Sequence, residues 1–320
     1  MTSLSAVAPH WRELAARLSA ATAIGVVTGV FVLALEHLVD DVLHALFEAE
    51  LWVPAVVVVI GAILTAVVTR YFGGRSTAST EVYVEQFHHS EPDMDVAHAP
   101  GRVVAAFTTL GSGAPLGLEG PAVYTGSAVA TFIHRRWSVL RGEAFHALLV
   151  AGSAAGIAAV FKAPAAGAIF AMEVPFRGRF AGERVLPAIF GAASGYLTMA
   201  LVDGVKPEIE VPLIELTVGR AFFSVVLGLV IGVAAIGMIA AVKLAEHATE
   251  RFPAGLRAVL AGGALAGIYV AGRGLTGESL ALTSGNSVID WAVKPDHAIW
   301  VMVGILVIRA LGPAVSIAGG

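Results

Sequence analysis

The chain has 320 residues, 57% of them hydrophobic and only 14% charged, with a mean hydropathy of +0.81 and a formal charge of −4. Soluble domains carry about 25% charged residues, so this composition excludes an ordinary soluble globule and points to a bilayer. No basic tract suggests a nucleic-acid partner, and the absence of cysteine excludes disulfides and thiolate metal sites.

In chain order, residues 4–17 read as a short interfacial helix with Trp11 at headgroup level. The apolar run that begins near Leu18 and continues to about Phe47 is too long for a signal-peptide core. A membrane span needs roughly 20 apolar residues, so the length allows about ten segments. The first covers residues 19–47 and the second 51–70. Arg12 and Arg17 precede the first span, whereas the following loop holds Glu36, Asp40, Asp41, Glu48 and Glu50 without Lys or Arg. The positive-inside rule therefore predicts a cytoplasmic N-terminus. The segment Gly73-Gly-Arg-Ser-Thr-Ala-Ser-Thr-Glu-Val-Tyr83 is too short and polar to cross and reads as a glycine-led helix start. The polar loop 88–98 holds His88, His89, Glu91, Asp93, Asp95 and His98 without the fixed spacing of a metal site; a solvated loop accounts for it, and no metal is assigned.

A helix from about residue 101 leads into Gly111-Ser-Gly-Ala-Pro-Leu-Gly-Leu-Glu119-Gly-Pro121, the stretch around which the chain is organised. Pro121 suits the first turn of a helix, where its missing N–H costs nothing. A helix starting near Glu119 presents unpaired backbone N–H groups, which form an anion site. Inside a membrane, such a broken helix is tolerated only where it lines a cavity or is buried in protein, and an ionisable residue at that depth is a functional candidate. A carboxylate at a helix N-terminus is also favoured by the helix dipole alone, but the Gly and Pro on both sides of Glu119 would weaken a plain span.

Residues 144–161 form an Ala- and Gly-rich helix, followed by a second proline-started helix that ends in Glu173. Lys162 sits just before that start, where it could attract anions or snorkel to the interface. Arg135, Arg136 and Arg141 anchor a loop. Further spans are expected at 185–202, 215–245 and 254–273, with a shorter helix at 278–290 and a last one at 297–313. The mixture of long and short broken helices is compatible with two halves, 1–180 and 181–320, in a single transmembrane domain; their arrangement as an inverted repeat rests mainly on the resemblance described next.

Gly117-Leu-Glu-Gly-Pro121 resembles the Gly-Arg-Glu-Gly-Pro signature of CLC chloride channels and transporters. The block Ala154-Ala-Gly-Ile-Ala-Ala-Val-Phe-Lys-Ala-Pro-Ala-Ala-Gly-Ala-Ile-Phe-Ala-Met-Glu173 is similar to the family's following block, at matching spacing. The resemblance implies an all-α polytopic membrane protein, a CLC-type inverted-repeat bundle of broken, tilted helices. It implies that Glu119 is the gating glutamate, competing with chloride for one positive potential. Ser76, Thr77 and Ala78 fall where the family has its serine-bearing anion loop, so Thr77 would supply the hydroxyl. With Gly117, Leu118 and Gly120 they make up the expected anion-binding set. Ser112 lies in a sequence that mimics that loop but stands too close to Glu119, and it is read as packing.

Departures from the family pattern shape the functional expectation. Leu118 replaces an arginine. Val174 stands where proton-coupled members often carry a glutamate, leaving Glu173 as the relay candidate, one helical step of about 100° away and facing Arg177. The expectation is therefore a passive chloride channel, with chloride/proton antiport as the alternative. Residues 309–320 approach the family's next anion loop and stop short of it, so the closing helices are expected to be lacking and a non-conducting membrane subunit is a further alternative. An intramembrane enzyme would need a second polar group paired with Glu119, and none is evident. By resemblance the protein is a homodimer in the cell membrane with one pore per subunit, its partners are chloride and lipid, and it needs no cofactor.

Overall fold

The structure, a computed structural model, describes residues 8–72, 79–89, 93–137, 144–176, 182–205, 215, 217–294 and 297–319, with the side chains of 8–10 excepted. Among these residues every regular element is helical: α1 (Ala8–Glu48), α2 (Val53–Phe72), α3 (Thr80–His88), α4 (Ala99–Gly111), α5 (Glu119–Arg136), α6 (Ala144–Val160), α7 (Pro164–Glu173), α8 (Val185–Asp203), α9 (Val218–Thr249), α10 (Ala254–Thr276), α11 (Asn286–Val293) and α12 (Ile299–Gly319). Six of the described helices, α1, α2, α8, α9, α10 and α12, are long and apolar enough to cross a membrane, and the chain is a multi-pass membrane protein.

The expected interfacial helix and first span are one continuous α1, because nothing between Ala8 and Glu48 breaks the helix: the run holds no internal proline beyond Pro9. The short helix expected at 278–290 instead starts at Asn286, since Gly277, Thr283 and Gly285 all take positive φ and hold 277–285 as a loop. The last helix continues past 313 through Pro313.

The helices form two compact units. The first comprises Met1–Val39, Val68–Ala106 and Leu118–Glu208, and the second Asp40–Val67, Phe107–Gly117 and Ile209–Gly320. In the first unit α6 is central, packed by α5, α7 and α8 and buried along nearly its whole length. Its Ala- and Gly-rich sequence makes this possible, because small residues let backbones approach without lost packing. At the α5–α6 crossing a Cβ added to Gly126 would stand 2.0 Å from the carbonyl oxygen of Gly152, so only glycine fits. Around this crossing lies a core of Val123, Phe145, Leu148, Leu149 and Ile157. In the second unit α12 packs on α10 and α9, and Leu280, Ala281, Trp291 and Ile305 form its core. No residue of α9 is buried, so its apolar surface is available to lipid or to other protein.

Candidate functional site

The organising stretch is where α4 ends and α5 begins. α4 closes in a Schellman turn: Gly113 N–H donates to Leu110 O at 2.9 Å and Ala114 N–H to Thr109 O at 3.3 Å. Gly113 sits at φ +90, the left-handed position that glycine takes without steric cost. Within the second unit this turn is held from α12 and the 277–285 loop. Thr283 N–H donates to Gly113 O at 2.9 Å. Arg309 holds that loop in turn, donating through Nη1 to Leu280 O (2.7 Å) and Leu282 O (2.9 Å) and through Nη2 to Thr283 O (3.0 Å). One turn along α12, Pro115 covers Gly312 so closely that an added Cβ would lie 2.5 Å from the ring. Ser112 is buried and its hydroxyl donates to Thr109 O at 2.9 Å.

After this turn the chain re-enters a helix at Glu119, the first residue of α5. Leu118 caps it with φ −75, ψ −9 and no side-chain hydrogen bond, and its carbonyl accepts from Ala122 N–H at 2.9 Å. The amides of Gly117, Leu118, Glu119 and Gly120 have no backbone acceptor among the described residues, and Pro121 has no amide hydrogen. Unpaired N–H groups at the positive end of a helix dipole favour an anion. The Glu119 side chain is half-buried and makes no ion pair or hydrogen bond among the described residues. Of the residues expected at the site, Leu118, Glu119 and Gly120 stand at the start of α5 in the first unit, and Gly117 is the last residue of its segment in the second.

Ser76, Thr77 and Ala78 lie outside the described residues. The helix that follows them, α3, is fixed to the first unit by Tyr83, which is fully buried and donates its hydroxyl to Ala171 O of α7. α7 itself starts as expected, with Pro164 in its first turn after Ala163; Lys162 just before it adopts φ +51. Glu173, the last residue of α7, is exposed, and Val174 is the half-buried C-cap. Arg177, the expected neighbour of Glu173, lies outside the described residues.

Two basic groups that the sequence reading did not single out prove to be structural supports. One is Arg309. The other is Arg102 of α4, buried in the first unit, whose Nη1 donates to the Tyr124 hydroxyl at 3.1 Å and whose guanidinium lies 5.2 Å from the Tyr124 ring centre. Tyr124 belongs to the helix that Glu119 opens. At the surface Asp95 takes a hydrogen bond from His98. Desolvation would raise the Asp95 carboxyl, but that hydrogen bond and the charges of His98 and Arg102 outweigh it and hold the group below the ordinary carboxylate range. An arginine within an apolar span is itself a signal that could have marked Arg309; the carbonyls it serves carry no sequence signature.

A family model described as voltage gated chloride channel matches residues 61–320. Over 228 residues the chain is 29% identical to the H(+)/Cl(-) exchange transporter ClcA of Citrobacter koseri, a match that covers 69% of this chain and 47% of that protein. It is 28% identical over the same length to ClcA of Salmonella typhi. The chain therefore spans about half the length of the curated relatives it matches. Among solved structures, a CLC-type fluoride/proton antiporter has TM-score 0.80 at 22% identity, over 95% of this chain and 76% of that one. A slow cyanobacterial Cl-/H+ antiporter has TM-score 0.80 at 20% identity, over 95% and 75%. These likenesses show the fold.

Proposed function

The chain belongs to the voltage gated chloride channel family, and from that premise we propose that it exchanges small monovalent anions, chloride first, for protons across the cell membrane. The observation that carries this reading is that, among the described residues, the amides at the start of α5 (Leu118, Glu119 and Gly120) have no backbone acceptor and the Glu119 carboxylate has no partner. An anion entering this field competes with the Glu119 carboxylate for the same N–H groups. Binding there replaces part of the anion's water and stays weak enough for release. Protonation neutralises the competitor, which couples anion occupancy to proton uptake at one side chain. Thr77 would add a hydroxyl to the same ion, with the Ser76 and Ala78 backbone beside it.

Val174 taken alone favours passive conduction. The similar proteins named as H(+)/Cl(-) exchange transporters and as antiporters support exchange instead, so the proton route is assigned to Glu173 or to water in place of the missing relay side chain. A homodimer with a cytoplasmic N-terminus and a pore in each subunit, built from halves 1–180 and 181–320, completes the proposal.

The test is flux from liposomes carrying the protein. Glu119→Gln and Glu119→Ala should pass anions at a rate independent of external pH, whereas the parent chain's flux should change with it. Unchanged pH dependence in both variants would remove Glu119 from the gate. Thr77→Ser should alter the chloride-to-nitrate ratio and Ser112→Ala should not; the opposite pattern would move the anion loop to Ser112.

A further inference from the structure

A second polar feature lies within the second unit, between α2, α4, α10 and α12. It is a partly enclosed cavity of about 30 Å³, with Thr65, Thr109, Ser112 and Ser316 on its walls among apolar neighbours such as Val58 and Leu265. Thr65 Oγ1 is within hydrogen-bond distance of both the Thr108 hydroxyl (2.9 Å) and the Thr109 hydroxyl (3.0 Å). Ser316 is one of four buried helix hydroxyls, with Thr28, Thr125 and Ser153, that have no hydrogen-bond partner among the described residues, and the one of these four that lines this cavity. Ser127, Thr131, Ser194 and Thr198 each donate to the carbonyl four residues earlier, the usual resolution for a hydroxyl in an apolar helix. The Ser316 hydroxyl is buried, yet it makes no such bond and has no partner among the described residues. A buried hydroxyl left unpaired is unfavourable, the more so inside helices surrounded by lipid.

We propose that this cavity is a binding site for one or two water molecules, which bridge Ser316 of α12 to the hydroxyls of α2 and α4. The volume fits: one water needs roughly 10–15 Å³ of such space. The chemistry fits as well. A water in a cavity needs two to four polar partners: the Ser316 hydroxyl has no partner among the described residues and can donate or accept, and the hydroxyl oxygens of Thr65, Thr109 and Ser112, whose hydrogen bonds leave lone pairs, can accept. No charged side chain lines the cavity, so a neutral hydrogen-bonding molecule is favoured over an ion. The site would tie α12 to the end of α4 directly beside the Gly113 turn, and it is independent of the function proposed above.

The chain has no cysteine, which permits a direct test. Ser316→Cys is prepared in liposomes in nitrate buffer, because chloride would precipitate the probe, and treated with Ag+. The ion displaces the thiol proton and forms an S–Ag bond with no change of oxidation state. Thiols that remain are counted with a maleimide after denaturation. The comparison is Leu306→Cys, an exposed position on the same helix (69% exposed) whose surroundings would be lipid. The thiol of the Ser316→Cys variant should react at least ten-fold faster than that of Leu306→Cys, and Ala62→Val, which fills the cavity, should slow it. Equal rates at the two positions, or a rate insensitive to Ala62→Val, would overturn the proposal. If Ser316→Cys does not yield folded protein, Thr65→Cys on the facing helix is read by the same criteria. Protection that grows when gluconate is replaced by nitrate would identify an anion as the occupant and overturn the assignment to water.

Discussion

Glu119 is placed by the residues that flank it more than by anything it touches. Gly113 at φ +90 ends α4, Pro121 removes an amide that would otherwise need an acceptor, and Leu118, Glu119 and Gly120 open α5 with amides that have no backbone acceptor among the described residues. Gly113→Ala forces a side chain into the left-handed region and should destabilise the protein by about 1–2 kcal/mol, seen as a lower unfolding midpoint in detergent. Tyr83→Phe removes the hydroxyl that Ala171 O accepts from and leaves a buried carbonyl unpaired, a loss of roughly 1–3 kcal/mol. A phenylalanine chain as stable as the parent would show that this hydrogen bond is replaced, for instance by a shift of α7. At this scale the sequence was legible where local chemistry dictates the backbone. Glu119 as a helix start and Pro164 as another follow from proline geometry, and the structure has both. The roles of Arg102 and Arg309 were not legible, because their partners, a tyrosine 22 residues away and carbonyls 26 to 29 residues away, are brought near only by tertiary packing.

The elements are held by close backbone approach and by a few polar clamps. Gly126 and Gly152 meet backbone to backbone, so Gly126→Ala must push α5 away from α6; overpacking of this kind costs about 1–3 kcal/mol, measurable as a drop in thermal midpoint, and Gly152→Ala should do the same. A variant pair with unchanged midpoints would mean that the crossing is looser than described. Arg309 secures the 277–285 loop and through Thr283 the turn before the candidate gate. Arg309→Met strips donors from part-buried carbonyls, at roughly 1–3 kcal/mol for the more buried Leu280 and Leu282, and Arg309→Lys should recover only part, since an ammonium lacks the planar fork of a guanidinium. Long apolar helices were readable from hydropathy because burial in lipid demands it. The boundaries failed where backbone conformation decides: the loop at 277–285 turns on Thr283 and Gly285 adopting positive φ, and Pro313 is absorbed within α12 although proline commonly ends a helix.

For the whole molecule, the composition alone required a membrane protein, and the two sequence blocks around Glu119 and Glu173 resembled the family whose model matches residues 61–320. Whether the protein conducts or exchanges could not be read from Val174, because a proton route can run through water as well as through a side chain. Fusion of a reporter active only in the cytoplasm to the N-terminus should be active, as the Arg12 and Arg17 flank predicts; an inactive fusion beside an active C-terminal control would invert the topology. The central claim is that Glu119 couples anions to protons, and proteoliposomes test it most directly. A chloride gradient is imposed and internal pH recorded without an ionophore. The account predicts proton movement against its own gradient with the parent chain, and its loss in Glu119→Gln while chloride still moves. Chloride flux with no proton movement in the parent chain, or coupling that survives in Glu119→Gln, would contradict it.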